Sequence, residues 1–586
     1  MPSKYFWAGF GFVSIIFHLT LIFSGLVPNL VSRPLHMALA LPWAFIFISN
    51  TPLQRYTGYV FTLLGLATTL WVAYNANSLG DQYGYISENY QLWIAAVLLM
   101  SVLEMARRSI GWPLPLVALI ALAYGLFGQY IPGEFGHPGT PLGSFLGTLT
   151  IAEGGIWGKL TGVSVSIVAI FVIFGAMLNA GEAGQGFMNI ALTAAGRLRG
   201  GAAKVSVISS ALFGSISGSA SANVASTGTI TLPAMTKLGY PKSLAGATEA
   251  VASSGGQIMP PLMGAGAFVM VELTGIPYQS IMMAAIFPAI LYFWAVWVGI
   301  DAFALRYDLK AVSKDQQPSR RTLLITCSFF MIPFGILLWG MFGPAYTPQF
   351  SASIAIFSAA LLLFFNSKGL SRKKQLIERI ESVGINAGKQ IAMIASIILC
   401  ASIVVGVLAI TGLGVKITSL IISGSDGMLW PAILLTAIAC LILGMEVPTT
   451  AAYVICISVA GPALAQLGLS ALQAHLFVFW FALLSTITPP VCGSVFIAAG
   501  MVKENWLKVA GIAMMLGVGL YLIPLAMVAN PSLIALGSSP WLAIASALKI
   551  ALALYLISMA LIAPFKYIKR AVYLGVGLTL IFALAI

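Results

Sequence analysis

The chain has 586 residues, of which 59% are hydrophobic and only 8% charged. A soluble domain carries about 25% charged residues, so this composition excludes a water-soluble protein and places the chain in a bilayer. The formal net charge is +13, but Lys and Arg sit in short loops between apolar runs, which is the positive-inside distribution and not a nucleic-acid-binding surface.

Roughly sixteen apolar segments of about 16 to 25 residues are predicted, at or near spanning length. The first, residues 5–26, is aromatic-rich and lacks a small-residue cleavage site, so it reads as a retained helix. Helices at 35–50, 57–74, 91–106 and 112–131 follow. With Lys4 cytoplasmic, the stretches 75–90 and 131–155, which contain no Lys or Arg, fall outside, and Arg107 and Arg108 fall inside. Arg33 is the one basic residue on the wrong side. His36 and His137 read as loop or interfacial residues, and His18 as a lone membrane-embedded histidine.

A helix at 162–180 returns the chain to a cytoplasmic arm carrying Arg197, Arg199 and Lys204. Residues 205–237 hold two apolar stretches too short to span separately, joined at Ser215–Ser221 and flanked at both ends by Lys. That pattern is a re-entrant hairpin opening inward. Residues 243–272 cross outward with a Gly-Gly…Pro-Pro break inside, and a helix at 279–305 follows. Two basic loops, 306–321 and 368–379, bracket two helices; then come a helix at 389–412 and an arm at 413–426. A second hairpin is predicted at 428–465 and a second broken helix at 472–502, before helices at 509–528, 541–562 and 567–586. The two sets share one order and take opposite orientations, an inverted repeat of the kind that builds transporter sites near the bilayer midplane. The five cysteines lie in apolar segments without metal-ligand spacing and read as packing residues.

In hydrocarbon an unsatisfied backbone group costs several kcal/mol, so four matching breaks must line a protein cavity. In the first repeat the candidate site is Ser215, Ser217, Gly218, Ser219, Ser221 and Asn223, with Ser253, Ser254, Gly255, Gly256, Gln257 and Pro260. In the second it is Gly444, Glu446, Pro448, Thr449 and Thr450, with Ser485, Thr486, Thr488, Pro489 and Gly493. Carbonyls and hydroxyls suit a hard cation such as Na⁺, and helix N-termini at the breaks suit a carboxylate. Each break taken alone is equally explained by helix packing, because Ser, Thr and Gly are common at membrane helix contacts. The two-fold order favours function.

Acids in apolar segments cost about 2.5–3.5 kcal/mol on insertion scales. Glu446, at the second tip, is the leading candidate for cation or proton coupling. Glu249 is the second proton candidate; it precedes the first Pro-Pro break and either orients it or pairs with Lys242. Glu272 reaches the interface, and His475 is a lone membrane histidine. No nucleophile set, metal cluster or phosphate loop is visible, so an enzyme is not expected, and no cofactor is expected beyond Na⁺ or H⁺ as coupling ion.

The runs GRLRGGAAKVSVISSALFGSISGSASANVASTGTITLPAM, KLGYPKSLAGATEAVASSGGQIMPPLMGAGAF, LGMEVPTTAAYV and TPPVCGSVFIAAG resemble the fused membrane component of tripartite ATP-independent periplasmic (TRAP) transporters, TAXI-associated subgroup, over about residues 145–510. The resemblance implies an all-α polytopic elevator transporter. It would have a small four-helix unit at 1–110, a connecting helix and periplasmic loop at 111–155, and a large transport unit at 156–586 with repeats at about 160–305 and 386–530. It also implies the bacterial cytoplasmic membrane, an N-terminus inside, and a periplasmic TAXI-type binding protein that delivers an organic acid. Dicarboxylates, 2-oxo acids and amino acids are the expected classes. The subgroup pattern has a small residue where Glu446 stands here, so an H⁺-coupled version is an alternative to Na⁺; a stand-alone symporter is another.

Overall fold

The computed structural model describes residues 3–313, 317–444 and 447–583. Its regular structure is helical, apart from a two-residue ladder pairing Phe365–Asn366 with Gly369–Leu370. Twelve helices are long and apolar enough to cross a membrane, with shorter apolar helices among them. The chain is an all-α polytopic membrane protein.

Four spans come first: α1 (Lys4–Phe23), α2 (Asn29–Phe47), α3 (Pro52–Tyr74) and α4 (Asn89–Ile110). Their ends follow from local chemistry. Thr51 and Gln54 form a reciprocal capping box at the start of α3. Arg107 and Arg108 close α4 and clasp Glu104 one turn back, at 2.6 and 2.7 Å. After α5 (Pro113–Tyr130) and α6 (Lys159–Ala180), an arm helix α7 (Ala183–Ala195) leads to the first irregular set.

That set is α8 (Gly201–Ser217), α9 (Ala220–Lys237), α10 (Lys242–Gly255) and α11 (Gly264–Thr274). The first hairpin turns in two residues. Gly218 stops α8 in the left-handed region at φ +62°, which glycine adopts without a Cβ penalty. Ser219 then caps α9, its hydroxyl accepting from the Ala222 amide at 3.3 Å. The break between α10 and α11 runs through a short 3₁₀ turn, Gly256–Ile258, and a cis Pro260–Pro261 bond.

Next come α12 (Tyr278–Tyr307), α13 (Arg320–Phe342) and α14 (Pro348–Leu362). The 39-residue α15 (Lys373–Thr411) and the arm α16 (Leu413–Gly424) lead to the second irregular set. It consists of α17 (Leu429–Gly444), α18 (Thr449–Gln466), α19 (Ala471–Leu484) and α20 (Gly493–Val502). The gap between α19 and α20 also holds a cis Pro-Pro bond, Pro489–Pro490. Two further spans, α21 (Trp506–Ala529) and α22 (Pro540–Ile562), and a final 16-residue helix, α23 (Tyr567–Phe582), close the described chain.

Two charge-based expectations are corrected. The basic stretch 368–379 was expected as loop with the helix starting at 389, yet α15 begins at Lys373. The reason is Arg379. It is buried, and its guanidinium donates to the Leu363 carbonyl at 2.9 Å and to Ser371 Oγ at 3.0 Å, with Glu182 at 3.3 Å. It closes the end of α14 and does not project from a loop. Arg33 likewise does not face water: it is buried, donating to Glu153 at 3.3 Å and to the Trp157 carbonyl. Residues anchored in this way no longer report membrane side.

The N-terminal spans are bonded to the rest through α2. Asn29 Nδ2 donates to Glu153 at 2.8 Å. His36, expected at an interface, is instead fully buried between His18 Nε2 (2.8 Å) and Ser164 Oγ of α6 (3.0 Å). His18 is therefore not alone, and its Nδ1 lies 2.6 Å from the Ser14 carbonyl. Asn29, Arg33 and His36 recur at helical spacing, so one polar stripe docks α2 onto the segment from 153 to 164.

Candidate functional site at four helix breaks

The four breaks come together. A Cβ on Gly214, one turn before the first hairpin tip, would collide with Gly256 Cα and come within 2.7 Å of Asn223 Nδ2. Only glycine allows that approach of backbone to backbone. At the tip, Gly218 lies against Gly264 at the start of α11, at 3.1 Å by the same measure. In the second repeat a Cβ on Gly444 would meet Ser485 Oγ at 3.0 Å. Each hairpin thus packs on its own break through a glycine.

Two contacts then cross between the halves. Thr486 Oγ1, in the second break, donates to Ser254 Oγ, in the first, at 2.9 Å. A Cβ on Gly493 would lie 3.5 Å from Ser221 Oγ of the first hairpin. The structure therefore brings Gly218, Ser221, Ser254, Gly256, Gly444, Ser485, Thr486 and Gly493 into one connected cluster.

The remaining expected residues divide. Asn223 is buried and donates from Nδ2 to the carbonyls of Ser210 (2.8 Å) and Ser253 (3.3 Å), holding the hairpin on its break. Ser215 and Ser485 donate back to carbonyls one turn earlier, at 2.7 and 2.9 Å, and Ser217 donates to the Ser219 carbonyl at 3.4 Å. Such hydroxyls keep lone pairs free to accept or to coordinate. Gln257 is buried within the 3₁₀ turn, beside Gly255, and Pro260 opens the cis pair. Thr449 and Thr450 form the first turn of α18 after Pro448 and are half-buried. Thr488 reaches Tyr521 OH at 2.7 Å. Glu446 lies outside the described residues.

The breaks are held by tyrosines that the sequence did not single out. Tyr278 OH donates to the carbonyls of Pro261 and Leu262, the latter at 3.1 Å. Tyr292 OH donates to the Val251 carbonyl at 2.6 Å. These phenols satisfy backbone oxygens that broken helices leave open in an apolar medium. His475, expected to be alone, is bonded to Tyr453 OH at 2.6 Å.

Glu249 departs furthest from expectation. It is fully buried, and no ion pair joins it to Lys242 or to any other cation among the described residues. Five hydroxyls surround it. Ser210 (3.2 Å), Ser253 (3.1 Å) and Thr227 donate to Oε1; Ser206 (2.7 Å) and Thr231 donate to Oε2. The available signal was an i, i+4 polar pair on each of three neighbouring helices: Ser206/Ser210, Thr227/Thr231 and Glu249/Ser253. Glu272 is exposed near the end of α11.

All five cysteines are free, and no group of His, Cys, Asp and Glu suited to a metal occurs among the described residues. In the second repeat Cys440 and Cys456 are both buried.

Residues 97–542 match the family described as the tripartite ATP-independent periplasmic transporter, DctM component. Among curated relatives, the uncharacterised protein y4mL of Sinorhizobium fredii is 25% identical over 415 residues, 70% of this chain and 92% of that one. The ectoine/5-hydroxyectoine TRAP transporter large permease protein UehC of Ruegeria pomeroyi is 24% identical, covering 70% of this chain and 95% of its own length. The C4-dicarboxylate TRAP transporter large permease protein DctM of Pseudomonas aeruginosa is 24% identical, covering 57% and 76%. Permeases of this family work with a periplasmic substrate-binding protein. With its twelve candidate spans and a match over more than half its length, the chain belongs to the TRAP transporter large permease family, a family of membrane solute transporters.

Proposed function

We propose that this chain imports an organic acid through the bacterial cytoplasmic membrane by a cation-coupled elevator movement, with Na⁺ as the coupling ion. The observation that carries the reading is the convergence of both hairpins and both broken helices, joined across the halves by Ser254 and Thr486. Such a cluster offers a cation the free lone pairs of hydroxyls and of carbonyls at helix ends. It also offers a carboxylate the positive ends of α11 and α20. The set from α8 to α11 and the set from α17 to α20 form the moving unit, related as an inverted repeat. The long helix α15 and the N-terminal spans, which correspond to the small subunit over residues 1–110, form the frame. A TAXI-type binding protein supplies the substrate on the outer side, and the N-terminus lies in the cytoplasm.

Magnitude explains the coupling. A carboxylate moving inward works against about 2.3 kcal/mol per charge per 100 mV. Each Na⁺ carried with it cancels one charge, so a dicarboxylate needs two sites merely to become neutral. Relatives named for C4-dicarboxylates and ectoine support small charged or zwitterionic acids as the class. Proteoliposomes holding the full chain, supplied with its binding protein and a panel of such acids, should accumulate one of them only under an inward Na⁺ gradient. Accumulation that ignores Na⁺ at equal pH on both sides would sink the sodium reading.

A further inference from the structure

We propose that Glu249 is a proton carrier of the transport unit, taking up one H⁺ on its carboxylate as part of each transport cycle. The proposal rests on the importer reading above and adds a second coupling ion to it.

Three observations lead there. First, the carboxyl group is fully buried with no cationic partner among the described residues, and yet every oxygen is supplied with donors. Three hydroxyls on Oε1 and two on Oε2 satisfy the ionised form by charge-assisted bonds. Charges on the helices packed around it are engaged elsewhere or stand at helix ends. Lys204 of α8 is paired with Asp301 of α12 at 2.6 Å. Lys237 ends α9, Lys242 begins α10, Lys503 follows α20, and Lys508 is in the first turn of α21. Tyr292 of α12 donates to a backbone carbonyl.

Second, the hydroxyl cage also fits the protonated form. When Glu249 gains a proton it must donate one bond, so one hydroxyl has to turn from donor to acceptor. Thr227 can do so, because its hydrogen has a second acceptor in the Asn223 carbonyl at 2.8 Å. Thr231 has one in the Thr227 carbonyl at 3.0 Å, and Ser210 has one in Thr227 Oγ1 at 3.1 Å. This cage holds donors that can reverse, and so stabilises both protonation states without moving a helix. The proton is taken from water on one side, bonds to a Glu249 carboxylate oxygen, and returns to water on the other side once the unit has moved.

Third, the cage is absent from the second repeat. With Gly214 set on Gly444 and the two Pro-Pro pairs aligned, Ser210 and Thr227 fall on Cys440 and Cys456, both buried. Glu249, Ser253 and Thr231 fall on Val478, Ala482 and Ala460. Ser206 falls on Thr436, a buried hydroxyl without a partner, so the second interior keeps one hydroxyl of the cage but neither the acid nor the other four.

The test has a part that needs no transport. A pH-difference infrared titration of the full chain in lipid should show a carboxyl C=O band that titrates in the wild type and is missing in Glu249→Gln. Thr227→Val, which removes one hydroxyl bonded to that carboxyl group, should shift the frequency of the same band. In proteoliposomes loaded with a pH dye and supplied with the binding protein, substrate entry should acidify the lumen at a fixed proton-to-substrate ratio. No titrating band assignable to Glu249, or substrate entry without proton entry, would overturn the proposal. Na⁺-driven uptake at equal pH is scored separately, so failure of the sodium reading and failure of the proton carrier are distinguishable.

Discussion

The two repeats share a skeleton and differ in how they are fastened. In the first, a hairpin turning at Gly218–Ser219 lies backbone to backbone on its break, and a hydroxyl cage around Glu249 ties α8, α9 and α10 together. In the second, Gly444 meets the side chain of Ser485 and the Ala482 carbonyl, and the equivalent interior holds Val478, Ala482, Cys440 and Cys456 with one hydroxyl, Thr436. The first half is tied around a buried acid by a cage of hydroxyls; the second, although Tyr453 is bonded to His475, has no such cage among the described residues. The difference teaches that a common fold does not oblige its two halves to be fastened by the same chemistry. Polar bonds specify a position, whereas apolar packing tolerates displacement.

The contrast can be broken by exchanging features. The largest effect is expected from Val478→Glu, which places an acid in the second repeat without a cage. An unpaired buried charge there should cost about 3–5 kcal/mol and prevent recovery of folded protein in size-exclusion chromatography. Recovery of normal amounts would mean that the second interior is wetter than its residues indicate. Gly214→Ala comes next. Its methyl group meets backbone that cannot yield, so a loss of about 1–3 kcal/mol and at least tenfold slower uptake are expected. Gly444→Ala should be milder, because its methyl group would meet Ser485 and the Ala482 carbonyl at 3.0–3.3 Å, whereas that of Gly214 meets Gly256 Cα at 2.4 Å; equal melting temperatures for the two variants would erase the distinction. Cys440→Ser with Cys456→Thr reproduces the hydroxyl pair of the first repeat and should change stability by less than about 1 kcal/mol in a denaturation series.

Much of this arrangement is legible in the sequence because breaks in hydrocarbon are expensive and therefore conspicuous. The turn at Gly218–Ser219 lies inside the stretch 215–221 that composition marks, and both Pro-Pro pairs sit in the gaps between broken helices. Lone charges are less legible. Arg33 and Arg379 look like loop residues, but each is folded onto backbone carbonyls, a long-range outcome that no local pattern announces. His36 was misread for the same reason: its partners His18 and Ser164 are 18 and 128 residues away. The cage around Glu249 was readable in principle from three i, i+4 pairs, but only once those helices are known to be neighbours. Glu446, the acid that the sequence favours most, lies outside the described residues.

Whether the halves build one site or two is decided by the bond between Ser254 and Thr486. The most direct measurement is Na⁺-dependent thermal stabilisation of Ser254→Ala, Thr486→Val and the double variant, read as a double-mutant cycle. A single site predicts that each change weakens the Na⁺ response and that the two together do little more than either alone, with a coupling energy of about 0.5–3 kcal/mol. Additive losses, or a Na⁺ response that neither change affects, would contradict a shared site.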